Sequence, residues 1–148
     1  MSERGLRPSD VVPDDLDAPF WDACRNHVFL VHRCTACDRA YWPASTCLDH
    51  GSSSMDWQPA SGRAEVFTYT VVHHAYDASL ADRLPYAVAV VRLDEGPFFH
   101  TDVVGCDPQD VYVGMRVRVL FDPVPEADDF LLRFTPRVDD DADHEEGE

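Results

Sequence analysis

Three cysteines and a histidine stand in two short pairs in the first half of the chain. Cys34-Thr35-Ala36-Cys37 is followed, after nine residues, by Cys47-Leu48-Asp49-His50. Two ligand pairs of the C-x2-C and C-x2-H kind, joined by a small loop, can fold over opposite sides of one tetrahedral Zn²⁺. Four thiolate and imidazole donors close the coordination shell, so the site expected from Cys34, Cys37, Cys47 and His50 is structural rather than catalytic. Gly51 and Asp38 follow the two pairs, and both tolerate the left-handed backbone that a metal knuckle needs. Other readings stay open at this point. The ribbon could have lost its metal, with His50 an ordinary surface residue, or Cys34 and Cys37 could be a redox pair. The redox reading is disfavoured because no βαβ pattern surrounds them.

A second group of chemically capable residues falls further on. His73, His74, Tyr76 and Asp77 crowd one short stretch, and a histidine beside a carboxylate can exchange protons. Neither a serine nor a cysteine nucleophile has a partner at a recognisable spacing. Cys106, between Gly105 and Asp107-Pro108, reads as a packed small residue. No catalytic residues are therefore assigned. Nucleotide binding fits better, because phosphates and adenine call for arginine and aromatic faces. Arg63, Arg83, Arg92, Arg116 and Arg118 are available, and His73, His74, Tyr76, Arg83 and Tyr86 are the candidate contacts for such a ligand. The competing reading makes the aromatics core and the arginines cover for acidic neighbours.

Charge narrows the partners. The 148 residues carry a net charge of −16, and all twelve basic side chains are arginine. Asp139, Asp140, Asp141, Asp143, Glu145, Glu146 and Glu148 make residues 139–148 an acidic tail expected to be disordered. Without those seven charges the net value is still about −9. Such a surface repels a free nucleic-acid backbone. No apolar run approaches membrane-spanning length, and Met1-Ser2-Glu3-Arg4-Gly5 holds no apolar signal region, so a cytoplasmic protein is expected. Cys24 and Cys106 stand alone beside the ligand cysteines, which argues against a disulfide framework.

The elements that must position these residues are mostly strands. Residues 1–27 read as an irregular arm and a short helix from about Ala18 to Asn26, with Asp17 as its cap and Pro19 in its first turn. Phe20, Trp21 and Cys24 share or border one face of that helix. They either cover the ribbon or, with Tyr41 and Trp42, form a docking surface. Residues 28–60 form the ribbon: a strand over Val28–Arg33 enters the first knuckle, Ala40–Pro43 leaves it, and Met55–Gln58 closes the module. Pro59-Ala60-Ser61-Gly62 is the expected boundary. From 61 to 138 the texture is strands broken by turns. Gly62–His74 places Phe67, Tyr69 and Val71 on one face at period two. Tyr86–Leu93 is apolar on both faces and so central, Asp94–Pro97 is a hairpin turn, and Phe98–Val104 returns. Gly105–Gly114 has room for one helical turn. Strands follow with Val117, Val119 and Phe121 on one face, then over Phe130–Thr135. Five strands, with a connection between the third and fourth able to cover one end, fit a small OB-type barrel. The fold class is thus mainly β: N-terminal helix, zinc ribbon, five-stranded OB barrel.

Taken in order, Phe20-Trp21, Cys34-x2-Cys37, Cys47-x2-His50-Gly51, Ser61-Gly62-Arg63, Tyr69-Thr70-Val71-Val72, Pro85-Tyr86, Leu93-Asp94-Glu95-Gly96, Gly105-Cys106 and Gly114-Met115-x-Val117 resemble the zinc-ribbon and OB-fold family of acyl-CoA-associated proteins, also called domain of unknown function thirty-five. The likeness spans roughly residues 18–137. It implies an accessory subunit of thiolase-superfamily enzymes: thiolases, acyltransferases, or the lipid-transfer-protein-like aldolases that shorten steroid side chains. In that family the resembling subunit generally lacks the catalytic nucleophile. It is thought to hold the catalytic partner together and help shape the acyl-CoA channel, and here Phe20, Trp21, Tyr41 and Trp42 would meet that partner. Some relatives carry a fused hydratase-like domain, for which this chain is too short. Two departures stand out. The family's fourth ligand is usually cysteine where this chain has His50, and its common His-Arg reads His73-His74 here. The alternative reading is a free-standing acyl-CoA or nucleotide binder, with a nucleic-acid OB protein a distant third.

Overall fold

The computed structural model describes residues 17–75, 78–124 and 129–138. The expected arm over residues 1–15, Tyr76, Asp77 and the acidic tail over 139–148 lie outside the described residues.

Helix α1 spans Ala18–Cys24, two residues shorter than the sequence suggests. The Asp17 carbonyl accepts from the amides of Phe20 and Trp21 at 3.0 and 3.3 Å, and Pro19 sits where its missing N–H costs nothing. The helix ends because His27 takes a left-handed φ of 62°. That turn swings the chain back toward strand β1 and stacks the His27 ring on Phe121, 5.0 Å between centroids.

A three-stranded antiparallel sheet in the order β2-β1-β3 follows, with β1 over Leu30–Cys34, β2 over Ala40–Tyr41 and β3 over Met55–Pro59. Pairing of His32 with Tyr41 and Trp57 places the two knuckles at one end of this sheet. His32 is buried flat against Trp57, at 3.7 Å, and its Nδ1 meets the Ala44 carbonyl at 3.2 Å.

The remaining strands close into a barrel in the order β4-β5-β6-β8-β7. They are β4 Arg63–Val72, β5 Tyr86–Leu93, β6 Phe98–Val103, β7 Arg116–Val124 and β8 Asp129–Pro136. The pairs β4–β5, β5–β6 and β7–β8 are antiparallel, and closure comes from the parallel match of Val103 with Phe134 and the short antiparallel match of Arg63–Glu65 with β7. On β5, Ala87, Ala89, Val91 and Leu93 point inward and are buried. The two alanines suit the narrow interior of a small barrel. Between β6 and β7 the chain makes one 3-10 turn at Pro108–Asp110, then buries Val111 and Met115 over the barrel. Two glycines allow strands to approach. Gly62, at φ +81°, would set a Cβ 2.8 Å from Val119 Cγ1, and Gly105, at φ +85°, would drive one into the Thr135 hydroxyl.

One expectation about β4 is corrected. A bulge separates the pairs Val66–Val91 and Thr68–Val90, and the extra residue is Phe67. Ala64 and Val66 face the core, and beyond the bulge Tyr69 and Val71 lie opposite inward Ala89 and Ala87. Phe67 therefore does not share a face with Tyr69 and Val71. It stands 54% exposed, edge-on to the exposed ring of Phe98 at 4.9 Å.

Helix, ribbon and barrel share one continuous core. Four rings close a circuit across it. Phe20 of α1 meets Phe29 at 5.5 Å, Phe29 meets Phe99 of β6 at 5.3 Å, Phe99 meets Trp42 at 4.7 Å, and Trp42 returns to Phe20 at 5.3 Å. Burying a ring of this size is worth about 1.5–3 kcal/mol, and each edge-to-face pair adds roughly 0.5–1.5 kcal/mol. The ribbon is thus packed into the barrel rather than tethered to it. Among the described residues no helix is long and apolar enough to cross a membrane.

Candidate metal centre and binding surfaces

Strand β1 ends on Cys34, and the chain turns at once. The Asp38 amide donates to the Cys34 carbonyl at 2.7 Å, and Asp38 takes φ 67°. This first knuckle swings Cys37 back beside Cys34. The second is closed by two bonds of 3.0 Å between Cys47 and Gly51, with Gly51 at φ 69°. Both left-handed positions are those the sequence marks.

The two knuckles bring one ligand atom from each of Cys34, Cys37, Cys47 and His50 within 4.8 Å of one another. Cys37 Sγ lies 3.7 Å from Cys47 Sγ, and His50 Nδ1 lies 3.6 Å from the sulfurs of both Cys34 and Cys47. Zn–S bonds of about 2.3 Å and Zn–N bonds of about 2.0–2.1 Å, set at tetrahedral angles, require S···S edges of about 3.8 Å and S···N edges of about 3.5 Å. The Cys37–Cys47, Cys34–His50 and Cys47–His50 edges sit near those spacings, and every other edge is within 4.8 Å. The residues fit a structural zinc, held by three thiolates and His50 Nδ1. Such an ion would tie the knuckles together and leave no open position for substrate.

The thiol of Cys47 is pulled down to about 5, chiefly by the Tyr41 hydroxyl. Burial opposes that pull, and the amides of Asp49 and His50 and the His50 ring add to it. Cys24, buried at the end of α1, is pushed up to about 12 by desolvation. Cys106 is also raised, first by burial and then by Asp110 and Asp107, so neither thiol is primed as a nucleophile.

The expected docking aromatics are placed differently from the sequence reading. Phe20 and Trp21 are 1% and 5% exposed, so they anchor α1 inside this chain and offer no surface. The reason is local packing: Phe20 meets Phe29, Trp42 and Trp57, so helix and ribbon close over these rings together. Trp42 is half-buried in the ring circuit, and Tyr41 turns its hydroxyl toward the second knuckle. Sequence reasoning missed the exposed pair Phe67 and Phe98, because nothing in the pattern announces a bulge.

Of the candidate acyl-CoA contacts, His73 and His74 leave the end of β4 exposed, Arg83 ends a 3-10 turn, and Tyr86 opens β5. The register match of Val72 with Tyr86 brings both sides of that loop to one end of the barrel. Tyr76 falls outside the described residues. A shallow groove of about 540 Å³ lies elsewhere, beside the Asp94–Pro97 hairpin, lined by Glu65, Arg92, Leu93, Asp94 and Gly96.

A knuckled metal ribbon sharing its core with a closed five-stranded barrel defines a ribbon-plus-OB protein. Two family models match it: "ChsH2, rubredoxin-like zinc ribbon domain" over residues 21–52 and "ChsH2, C-terminal OB-fold domain" over residues 57–122. A DUF35 domain-containing scaffold protein of Methanocaldococcus jannaschii is 32% identical over 105 residues, which cover 69% of this chain and 74% of that one. The chain belongs to this DUF35 family. It is also 34% identical over 116 residues to a probable enoyl-CoA hydratase alpha subunit of Thermomonospora curvata. That match takes in 77% of this chain but only 35% of the relative, so the chain spans about a third of the hydratase subunit's length. Among solved structures, a chain of the "Ltp2-ChsH2(DUF35) aldolase" superposes with a TM-score of 0.74 at 29% identity, covering 86% of this chain and 99% of that one.

Proposed function

We propose that this chain is a non-catalytic accessory subunit of a heteromeric thiolase-superfamily enzyme, a lipid-transfer-protein-like acyl-CoA aldolase in the first place. It would steady the catalytic partner and shape its acyl-CoA site. The observation that carries this reading is the near end-to-end likeness to the DUF35 chain of an aldolase. The chemistry agrees. The cysteines that meet a histidine, Cys34 and Cys47, belong to the closed metal shell, and the thiols of Cys24 and Cys106 are raised. Kinship with an acyl-CoA hydratase subunit points to the same substrate class.

In this reading His73, His74, Arg83 and Tyr86 meet the acyl-CoA, with Arg83 offering charge to a phosphate and Tyr86 a face to the adenine. Phe67 and Phe98 take over the anchoring role that burial denies to Phe20 and Trp21, since exposed aromatics bury large areas at small rotamer cost. The test mixes the purified chain with a thiolase-like enzyme from the same organism and follows co-elution and turnover. The expected outcome is a stable complex, no turnover by this chain alone, and higher partner activity on mixing. Phe67→Ser together with Phe98→Ser should weaken co-elution at least tenfold. Full turnover by the isolated chain, or no association with any such enzyme, would overturn the proposal.

A further inference from the structure

The hydroxyl of Tyr41 is unusually well occupied. A phenolic oxygen has one hydrogen to give and two lone pairs to fill. Here it donates to Cys47 Sγ at 3.4 Å, and it accepts from the Leu48 amide at 3.2 Å and from Arg39 at 3.3 Å. Every hydrogen-bonding position of the group is used, and all three partners belong to the knuckle region.

The strands explain what this arrangement does. Tyr41 lies on β2, opposite His32 of β1, and β1 runs on two residues to the ligand Cys34. The first knuckle is therefore built into the sheet. The second is held mainly by its own Cys47–Gly51 bonds, and its tip is bare, with Leu48 83% exposed. Besides the donor cluster itself, Arg39 pairs with Asp49 across the same gap, at 3.5 Å and largely exposed. An ion pair of that kind contributes about 0–1 kcal/mol. Donation of the Tyr41 hydroxyl to a ligand sulfur thus ties strand β2 directly to the second knuckle, outside the four donors. Electrostatics point the same way. Three thiolates outweigh the zinc dication by one charge, in a chain already at −16. A hydroxyl that donates a hydrogen bond to the sulfur while accepting one from a guanidinium spreads that excess.

We propose that Tyr41 is a positioning residue of the metal centre, fixing the Cys47 thiolate for zinc through a hydroxyl braced by Arg39 and the Leu48 amide. The inference rests on zinc occupying the Cys34, Cys37, Cys47 and His50 site, and it does not depend on the identity of any partner enzyme. Partners of this kind typically change metal affinity 10–100-fold.

The experiment compares the full chain with Tyr41→Phe and Arg39→Gln. Zinc affinity is read by competition with a chromophoric chelator, and the thiolate-to-metal charge-transfer band is read after Co²⁺ substitution. Zinc content of the wild-type chain reports on the metal reading itself, while the ratio of wild type to variant reports on Tyr41. Tyr41→Phe keeps the ring and its packing, so the expected result is roughly 10–100-fold weaker zinc with a displaced Co²⁺ band. Arg39→Gln, at an exposed position, should weaken zinc several-fold in the same direction. It carries the test if the phenylalanine variant fails to fold. Affinity and band unchanged in the variants would overturn the proposal. So would weaker zinc in Tyr41→Phe with an unmoved band, since that pattern belongs to a general loss of packing. A wild-type chain that takes up no zinc removes the metal reading and this one together.

Discussion

Phe29→Ala tests whether ribbon and barrel are one folding unit. Phe29 precedes β1, is 3% exposed, and packs edge-on to Phe20 at 5.5 Å, Phe99 at 5.3 Å and Phe134 at 6.2 Å. Two of those neighbours belong to the barrel and one to the helix. Truncating a buried phenylalanine costs about 3–5 kcal/mol, transfer and cavity terms together. The upper half of that range applies, because three rings lose a partner and the surrounding closed barrel resists collapse. Against a total stability of about 5–15 kcal/mol the variant should remain folded, with a narrow margin. With a urea dependence of about 2 kcal/mol per molar, a loss of about 4 kcal/mol lowers the unfolding midpoint by about 2 M. Trp21, Trp42 and Trp57 all lie on the helix and ribbon side, so their fluorescence reports that half, while far-UV circular dichroism reports chiefly the barrel strands. At fixed zinc, both signals should follow one transition and move together. Fluorescence shifting by itself, with the barrel signal left at the wild-type midpoint, would refute the shared-core argument.

Two further outcomes are expected. Burial holds the Cys24 thiol near 12, so the folded chain keeps a proton that the unfolded chain releases above about 8.5. Stability should be undiminished below that point and fall as pH climbs toward 12, by at most about 1.4 kcal/mol per pH unit, a slope that Cys24→Ala removes in alkaline urea titrations. Gly105→Ala sets a Cβ against the Thr135 hydroxyl at a backbone φ of +85°, and should cost about 2–4 kcal/mol by thermal or urea unfolding. Adding Thr135→Ala should restore part of that loss, because the steric share goes and the backbone share stays.

The sequence made the metal site legible because ligand chemistry is local. Two residues between donors fix a knuckle, and the left-handed residues Asp38 and Gly51 stand beside their ligands. The strands of the barrel were readable for a related reason: alternation on β7 and the apolar run of β5 each reflect their own burial, and Asp94-Glu95-Gly96-Pro97 marks its own turn. What stayed hidden depends on distant parts of the chain. Phe20 and Trp21 look like surface anchors when only a small ribbon is available to cover them, and the burial of Phe20 becomes clear only once Phe29, Trp42 and Trp57 are placed around it. The bulge at Phe67 arises from a register fixed jointly by β5 and β7, with no glycine or proline on the strand to announce it. The hydroxyl of Tyr41 serves the metal centre through a contact six residues away in sequence, and a tyrosine before Trp42-Pro43 carries no sign of it.

Rings that touch in a closed circuit cannot turn one at a time. A rotation of Phe20, Phe29, Phe99 or Trp42 opens two contacts at once. The ribbon that carries the bare knuckle tip at Leu48 and the barrel end where Val72 pairs with Tyr86 thus share one mounting, the packed core between them. Substitutions within the circuit would loosen both at once.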